Sequence, residues 1–274
     1  MKQLLILSGK GGTGKTTAAA AFIAFSRCRA FADCDVDAPN LHLSMPHMRE
    51  TARSDHYGFD KAVIEKELCV QCGQCYQHCR FHAIHLPVID PYACEGCGVC
   101  AEICPTGAIR MEKYVSGFLS LHRLKDQVLS TARLQMGSGA TGKLVTAVKR
   151  QLFKESGEEE LVIMDGSPGI GCPVIASVSG VDMVLIVTEP TVSGIHDMQR
   201  ILDTASQFQV PCAVLINRCD AFADRSGEIE GYCRERGIPL AGKVPYDDTV
   251  VKAVNSCRTM ADYPESPAGK ALRS

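Results

Sequence analysis

The sequence predicts an α/β fold in which a doubly wound, mostly parallel sheet is interrupted by a small inserted α+β domain. Short apolar runs alternate with longer helical stretches at both ends of the chain, a pattern typical of parallel strands joined by crossover helices. Between residues 58 and 113 the sequence instead becomes rich in cysteine and turn residues. An internal repeat there pairs Cys69 with Cys94 and Ala83 with Ala108, an offset of 25 residues that predicts two related halves.

The predicted strands are continuous apolar runs of the kind that a parallel sheet buries on both faces. They lie at residues 3–7, 30–33, 161–164, 183–187 and 213–216, and an alanine-rich helix is predicted at 16–25. The predicted division is one α/β domain made of residues 1–57 and 114–274, with the inserted domain at 58–113. Residues 116–154 are polar with interspersed Leu and Val, and their pattern assigns them no role.

The composition argues against several classes of protein. Acidic and basic residues nearly cancel, with a formal net charge of -2, so no overall field favours nucleic acid or an anionic membrane. The first apolar run, Leu4 to Leu7, is too short for the core of a signal peptide, and no later run approaches membrane-spanning length. We therefore expect a soluble cytoplasmic protein. Eight of its 15 cysteines stand in two regularly spaced groups, which favours metal ligation over disulfides.

A phosphate-binding loop is predicted directly after the first strand. Gly9-Lys-Gly-Gly-Thr-Gly-Lys-Thr16 fits the pattern G-x-x-x-x-G-K-[ST] and precedes the alanine-rich helix, which is the required context. Glycines let backbone N–H groups turn toward the phosphates, and the positive end of the helix faces the same anion. Lys15 is expected to reach the outer phosphates, and the Thr16 hydroxyl to ligate Mg²⁺. The predicted nucleotide-binding residues here are Gly11, Gly12, Thr13, Gly14, Lys15, Thr16 and Thr17.

A second lysine, Lys10, stands inside this loop. The resulting form, K-G-G-x-G-K-[ST]-T, resembles that of the MinD/ParA/nitrogenase-iron-protein family of P-loop ATPases. The resemblance implies a sheet of the P-loop NTPase type, Mg²⁺ and ATP as ligands, and a nucleotide-dependent homodimer or a heterodimer with a related ATPase. It also implies that Lys10 reaches across the dimer, where its charge would stabilise the charge that develops on the transferring phosphoryl group.

Two further segments resemble the switch regions of the same family. In Ala32-Asp-Cys-Asp-Val-Asp-Ala-Pro-Asn40, Asp35 falls where the family places the carboxylate that orients the attacking water. A carboxylate there can also hold Mg²⁺ through water, and Asp33 and Asp37 are rivals for the position. With Lys10 and Lys15, Asp35 completes the set of expected catalytic residues.

The Walker B acid is predicted at Asp165, which ends a buried strand and would hold the Mg²⁺ shell there. Gly166 and Ser167 depart from the family's D-T-P-P-G, whereas Pro168 and Gly169 match it. This departure leaves the contacts of the second switch open.

The base site is predicted late in the chain. Leu215-Ile-Asn-Arg218 resembles the family's strand ending in Asn-Arg, and Val244-Pro-Tyr-Asp-Asp248 resembles its later I-P-x-D segment. On that resemblance Asn217, Arg218 and Pro245 are the candidate contacts to adenine. The same stretch, Asn217 to Asp220, is also faintly similar to the guanine-reading pattern N-K-x-D, with Arg in place of Lys.

The two cysteine runs each read C-x₂-C-x₂-C-x₃-C, which is typical of bacterial ferredoxins and predicts two [4Fe–4S] clusters. In two-cluster ferredoxins the last cysteine of each run binds the other cluster. That resemblance assigns one cluster to Cys69, Cys72, Cys75 and Cys104, and the other to Cys94, Cys97, Cys100 and Cys79. Zinc is the competing metal, but its sites normally use two C-x-x-C pairs separated by a longer loop.

Nearly the whole chain resembles the MinD-type ATPases that carry an inserted ferredoxin domain, and three functions are compatible with that. The first is an ATPase whose nucleotide-driven dimerisation controls electron transfer to a partner protein. The second is a maturation factor that uses ATP to assemble or transfer Fe–S or another metal cofactor. The third is a positioning or regulatory switch in which the clusters sense redox state. The expected partner is a redox or cofactor-acceptor protein, and neither nucleic acid nor a membrane is expected.

Overall fold

Thirteen strands and nine α-helices make up the protein, and the computed structural model describes all 274 residues. The strands are β1 (Lys2–Leu7), β2 (Ala30–Asp33), β3 (Arg49–Tyr57), β4 (Lys61–Ile64), β5 (Ile84–His85), β6 (Val88–Ile89), β7 (Ile109–Glu112), β8 (Val115–Leu124), β9 (Gln127–Leu134), β10 (Leu161–Asp165), β11 (Met183–Thr188), β12 (Cys212–Asn217) and β13 (Leu240–Val244). The helices are α1 (Lys15–Ser26), α2 (Gln74–His78), α3 (Val99–Glu102), α4 (Thr141–Glu155), α5 (Cys172–Val178), α6 (Val192–Gln207), α7 (Ala223–Glu235), α8 (Asp248–Asn255) and α9 (Pro267–Arg273).

The central sheet contains nine strands in the order β13-β12-β11-β1-β10-β2-β9-β8-β3. The seven strands from β13 to β9 run parallel, and only the β9–β8 and β8–β3 pairs at one edge are antiparallel. The predicted α/β fold with a mostly parallel sheet is therefore confirmed. Because β1, β2, β10 and β11 end at the same edge, the loops that follow them meet there.

The core lies on both faces of this sheet. Alternate residues of a strand point to opposite faces, so Leu5 and Leu7 belong to one buried apolar cluster and Ile6 to the other. Helices α4, α5, α6 and α7 cover the first cluster, and α1, α8 and α9 cover the second. Burial on two sides is the reason that the strands read as continuous apolar runs rather than as alternating ones.

Residues 58–113, which we call the inserted segment, leave and rejoin the sheet at neighbouring points. Strands β3 and β8 pair so that Tyr57 lies opposite Val115, and the segment connects their ends. Within it β4 pairs with β7 and β5 pairs with β6, each antiparallel, and α2 and α3 are short helices that pack together. A separate buried cluster, which includes Ile84, Ile109 and Cys75, gives the segment an apolar core of its own.

The region that the sequence pattern leaves unassigned, residues 116–154, contains regular structure throughout most of its length. It forms the hairpin of β8 and β9 and then helix α4. The two strands are joined by Lys125 and Asp126, and Lys125 has a left-handed backbone with φ of 53°, as two-residue hairpin turns require. None of the helices is at once long enough and apolar enough to cross a membrane.

Candidate functional site

The phosphate-binding loop lies between β1 and α1 at the carboxyl edge of the sheet. Gly14 immediately precedes α1 with φ of 88°, a left-handed conformation that favours glycine. A Cβ atom at this position would lie 2.3 Å from Asn217 Nδ2, so the site also has no room for a side chain. The backbone N–H groups at the start of α1 and the positive end of its dipole therefore face one cavity.

That cavity, the nucleotide cavity, has a volume of about 360 Å³, within the usual range for small-molecule sites. Nearly all of the predicted nucleotide residues line it: Lys10, Gly11, Gly12, Gly14, Lys15, Thr16, Thr17, Asp35, Asn217, Arg218 and Pro245. Of the predicted set only Thr13 and Asp165 are absent from the lining, and both are buried. Apolar side chains that include Leu215 and Val250 line it as well, as a flat base requires.

Lys15, Thr16 and Asp165 form a buried polar group beside the loop. Lys15 Nζ lies 2.5 Å from Asp165 Oδ1, and Thr16 Oγ1 donates a hydrogen bond of 2.6 Å to Asp165 Oδ2. Burial by itself lowers the pKa of Lys15, but the neighbouring Asp165 carboxylate raises it above its ordinary value. Asp165 thus binds both of the groups that are predicted to contact phosphate and Mg²⁺.

The three rival aspartates, Asp33 at the end of β2 and Asp35 and Asp37 after it, have different surroundings. Asp33 is fully buried, and its carboxylate accepts hydrogen bonds from the backbone N–H groups of Asp35, Asn40 and Leu41. Burial, and then the charge of Asp165, raise the pKa of Asp33 to about 7. Asp33 therefore holds the backbone of residues 35–41 in place.

Asp35 is the one of the three that faces the nucleotide cavity, and it is half-buried, whereas Asp37 is exposed. Burial raises the pKa of Asp35 above its ordinary value, and the Lys15 charge opposes that shift. Of the three carboxylates, Asp35 is therefore the one placed to contact a ligand.

Glu189, which stands in none of the sequence motifs, binds two of the predicted site residues. It is buried just after β11, with its Oε1 accepting from Arg218 Nη1 at 2.6 Å and its Oε2 at 3.7 Å from Lys10 Nζ. Lys10 Nζ also lies 3.2 Å from Ser193 Oγ. The signal available in the sequence was an acid directly after a buried parallel strand, because such residues lie at the functional edge of the sheet.

Asn217 ends β12 with its side chain turned toward the phosphate-binding loop. Its Nδ2 donates a hydrogen bond of 2.8 Å to the Thr13 carbonyl, and since a carbonyl only accepts, the amide nitrogen must face it. The Oδ1 acceptor remains for a ligand, which suits an exocyclic amino group such as that of adenine. Asp220 instead accepts from the Tyr246 backbone N–H at 2.7 Å and does not line the cavity.

The two residues that depart from the family's second switch are explained by local packing. A Cβ atom at Gly166 would lie 2.4 Å from Leu7 Cδ2 and 3.1 Å from the Ile6 carbonyl oxygen, so a side chain there would force the buried Leu7 to shift. Ser167 is buried, and its hydroxyl donates to the Cys34 carbonyl at 2.8 Å, which joins the segments after β10 and β2. Burial raises the pKa of the Cys34 thiol to about 12, whereas Cys172 is exposed at the start of α5.

The inserted segment contains two small cavities, each lined by four cysteines. The first thiol cavity is lined by Cys69, Cys72, Cys75 and Cys104. The second thiol cavity is lined by Cys79, Cys94, Cys97 and Cys100. Each therefore takes three cysteines from one run and the last cysteine of the other.

The chemistry of these donors fits an iron–sulfur cluster. Burial, and then the charges of Cys94 and Cys97, raise the pKa of Cys100 to about 11, so these close thiols need a compensating cation to bind as thiolates. The Ala108 N–H donates to Cys104 Sγ at 3.3 Å, the kind of bond that stabilises cluster thiolates. No three His, Cys, Asp or Glu side chains are grouped tightly enough to hold a single ion. A cubane differs in this respect, because each thiolate binds its own iron at a different corner.

Helix α4 contacts both the inserted segment and the helix that follows the second switch. Lys143 Nζ lies 3.9 Å from the Phe59 ring centroid and 3.5 Å from the Gly58 carbonyl. On the other side, α4 packs along α5, and Lys149 Nζ donates to the carbonyls of Ser177 and Ser179 at 2.8 and 2.6 Å. The loop before α4 also lies against Tyr92 in the inserted segment.

Comparison with known proteins gives a consistent result. A family model described as the CobQ/CobB/MinD/ParA nucleotide binding domain matches residues 4–259. An uncharacterized protein of Methanocaldococcus jannaschii is 34% identical over 225 residues, which cover 79% of this chain and 78% of that protein. An iron-sulfur cluster carrier protein of Pyrococcus horikoshii is 23% identical, with 98% of this chain and 82% of that protein covered. The structure of the septum site-determining protein MinD with Mg-ADP, from Pyrococcus horikoshii, has a similar fold, with a TM-score of 0.60 and 17% identity over 99% of this chain and 93% of that chain.

Proposed function

Because the chain belongs to the CobQ/CobB/MinD/ParA family of nucleotide-binding domains and is a P-loop ATPase of that family, we propose that it couples ATP-driven dimerisation to electron transfer. The electrons would pass through two [4Fe–4S] clusters bound by a ferredoxin-like domain at residues 58–113. The observation that carries this proposal is the sharing of cysteines between the two thiol cavities. Each cavity supplies four thiols, which is the ligand number that a cubane needs.

In the nucleotide half, the chain's own residues have separate tasks. The glycine loop and Lys15 would bind the phosphates, while Thr16 and Asp165 would hold Mg²⁺ once Lys15 moves from Asp165 to the phosphates. Asp35 would orient the attacking water or accept a proton from it, since it is the aspartate that faces the cavity. Lys10 of a second copy would add positive charge beside the transferring phosphoryl group.

Adenine is the base that the site favours. Asn217 offers an acceptor to the amino group of adenine, because its amide nitrogen is bound to the Thr13 carbonyl. The carbonyl oxygen that guanine has at the same ring position would meet that acceptor without a proton between them. Arg218 and Pro245 line the same cavity.

In the other half, the cysteines would hold the clusters and the apolar core around them would limit water. Cys69, Cys72, Cys75 and Cys104 would bind one cluster, and Cys79, Cys94, Cys97 and Cys100 the other. A bound cubane supplies one-electron redox chemistry at a potential set by its charge, hydrogen bonds and exposure. Arg80 follows Cys79, which lines the second thiol cavity, and adds positive charge beside that cavity.

A route between the two halves runs through α4. The second switch leads into α5, Lys149 of α4 binds the last carbonyls of α5, and Lys143 of α4 binds the start of the inserted segment. A shift of the second switch on nucleotide binding would therefore be passed through packed groups to residues 58 and 59. The hydrogen bond from Ser167 to the Cys34 carbonyl would make the two switches move together.

A second candidate function is that of an iron–sulfur carrier. It is favoured by the similarity to proteins described as iron-sulfur cluster carriers and by the exposure of Cys72 and Cys97, which would let an acceptor reach a cluster. A redox-sensing regulatory switch is the third, less supported alternative. The carrier and electron-transfer functions differ in how readily the protein gives up its iron.

The test is anaerobic purification followed by iron analysis and EPR spectroscopy, with and without Mg-ATP. About eight irons per chain and spectra that change with Mg-ATP are the expected result, and zinc bound by the cysteines would overturn the proposal. Incubation with a chelator and an apo-acceptor then separates the two candidates. A carrier loses its iron to the acceptor, whereas an electron-transfer protein retains it.

A further inference from the structure

Lys61, at the start of β4, is a buried lysine that neither the fold nor the ATPase site explains. Its ammonium donates a hydrogen bond to the carbonyl of Cys94, and it lies 5.6 Å from the centroid of the Tyr114 ring. It forms no ion pair with any carboxylate. An ammonium buried with so little compensation destabilises a fold unless another negative charge is present nearby.

The other buried lysines show how such a charge is normally compensated. Lys15 is paired with Asp165 at 2.5 Å. Lys149 donates to carbonyls at the carboxyl end of α5, where the helix dipole is negative. Lys61 has one carbonyl and the face of one ring, and no carboxylate forms an ion pair with it.

The internal repeat provides a comparison within the same molecule. The repeat relates Lys61 to Leu86 and Cys94 to Cys69, and Leu86 and Cys69 both line the first thiol cavity. At the position where the second half of the repeat has leucine, the first half thus has a buried cation bound to the carbonyl of Cys94, a residue that lines the second thiol cavity. No charged side chain lines the first thiol cavity at all.

We infer that Lys61 acts through the cluster in the second thiol cavity. It is the counter-ion of that cluster and raises its reduction potential, so that this cluster is the more easily reduced of the two. This inference rests on the proposed function, because it requires both clusters. A cubane with four thiolates is anionic and gains one further negative charge when it takes an electron, so a nearby ammonium favours the reduced form. The electron comes from the other cluster or from an external reductant, and no bond is formed or broken.

Other charges near the second thiol cavity do not cancel this effect. Glu95 lines the cavity but is exposed, so water screens its charge. Arg80 follows Cys79 and is also exposed, and it acts in the same direction as Lys61. Because Lys61 is buried, its field is screened least.

The test is a redox titration of the anaerobic protein with dithionite, followed by EPR, on wild type and three variants. Lys61→Met removes the charge and keeps the length of the side chain, and Lys66→Met removes an exposed charge from the same segment as a matched control. Leu86→Lys places a lysine at the repeat-related position beside the first thiol cavity. Iron content and ATP binding are measured first for every variant.

Lys61→Met should make the reduction of one cluster at least about tenfold less favourable, a shift of about 59 mV for one electron, and leave the other unchanged. Lys66→Met should shift neither cluster by a comparable amount. Leu86→Lys should raise the potential of the lower cluster, and it remains informative if Lys61→Met fails to fold. Unchanged potentials in both Lys61→Met and Leu86→Lys, at full iron content, would overturn the inference. Wild-type protein without about eight irons would instead overturn the proposed function.

Discussion

Glu189 binds Lys10 within a single subunit, with 3.7 Å between Glu189 Oε2 and Lys10 Nζ. The same carboxylate accepts from Arg218 at 2.6 Å, so one buried acid links the loop lysine to the proposed base site. A lysine that is to act across a dimer must leave this position. The Glu189–Lys10 contact therefore opposes the active arrangement of the proposed dimer.

Replacing Glu189 by Gln should favour nucleotide-dependent dimerisation. The pair is partly exposed on the lysine side, so its loss is expected to free Lys10 at a gain of up to about 1 kcal/mol per subunit, or about fivefold in the dimerisation constant for each subunit that carries the change. Sedimentation with a non-hydrolysable ATP analogue measures the dimer fraction.

The matched control for this change is Glu230→Gln, which removes an acid from the ion pair with Lys243. Glu230 does not line the nucleotide cavity, so the dimer fraction should stay at its wild-type value. Lys10→Ala should abolish both dimerisation and ATP turnover. A Glu189→Gln protein that dimerises no better than wild type would show that the contact does not restrain Lys10.

Replacing Asp35 by Asn should slow ATP hydrolysis and leave ATP affinity nearly unchanged. Of the aspartates after β2, Asp35 alone faces the nucleotide cavity, and an amide cannot take a proton from water. The expected loss of turnover is about 100-fold or more, as is usual for a general base. Asp37→Asn, which changes an exposed neighbour, is the control and should retain turnover. Equal effects of the two substitutions would argue against a catalytic role for Asp35.

Replacing Asp165 by Asn should destabilise the nucleotide-free protein as well as abolish Mg²⁺-dependent turnover. The substitution leaves the Lys15 ammonium buried without its ion-pair partner. We expect a loss of about 2 to 3 kcal/mol in the free energy of unfolding, less than the usual cost because the Asp33 carboxylate is also close. Urea denaturation measures it, with Glu228→Gln, from an exposed pair with Arg225, as the control. A midpoint as high as that of the control would contradict this account.

Double cysteine variants distinguish shared from separate ligation of the clusters. Cys69→Ser with Cys104→Ser removes two residues of the first thiol cavity only, so about four irons per chain should remain. Cys69→Ser with Cys79→Ser removes one residue from each cavity and should cost both clusters. Iron analysis of the anaerobic proteins reads the result directly. If each run held its own cluster, the two iron contents would be reversed.

Replacing Lys143 by Ala should weaken the coupling between nucleotide and clusters. The contact to Phe59 and Gly58 is lost, while the nucleotide cavity and the thiol cavities keep all their residues. ATP turnover and iron content should therefore remain, and the change in the EPR spectrum on addition of Mg-ATP should shrink. Lys154→Ala, an exposed lysine of the same helix, serves as the control. A full spectral response in the Lys143 variant would exclude α4 as the route.

Much of the sheet could be predicted from the sequence, because buried parallel strands must be apolar on both faces. The predicted run at residues 30–33 is the strand Ala30–Asp33, and the other four runs were each one or two residues short. Strands β8 and β9 and helix α4 were not predicted. The polar residues of β8 and α4 lie on partly exposed faces at the edge of the sheet, where the apolar signal is weaker.

Some residues carry little or no local signal of their surroundings. Glu189 and Lys61 belong to no recognisable motif, and their partners come from segments far away in the sequence, such as Lys10 for Glu189 and Cys94 for Lys61. The role of Glu189 depends on its burial beside two positive side chains, and the role proposed for Lys61 depends on its burial without a carboxylate partner. Burial is a property of the packed molecule.

The sequence by itself determined which chemistry the chain carries: a glycine loop with two lysines, acids after buried strands, and two cysteine runs, each recognisable because the spacing of the ligands is local. Only the tertiary structure decided how these groups are combined. It turned Asp35 rather than Asp33 toward the nucleotide cavity, put cysteines of both runs into each thiol cavity, and paired Lys10 with Glu189. The physical reason is that contacts between distant segments depend on the register and burial of whole strands, which no short pattern specifies.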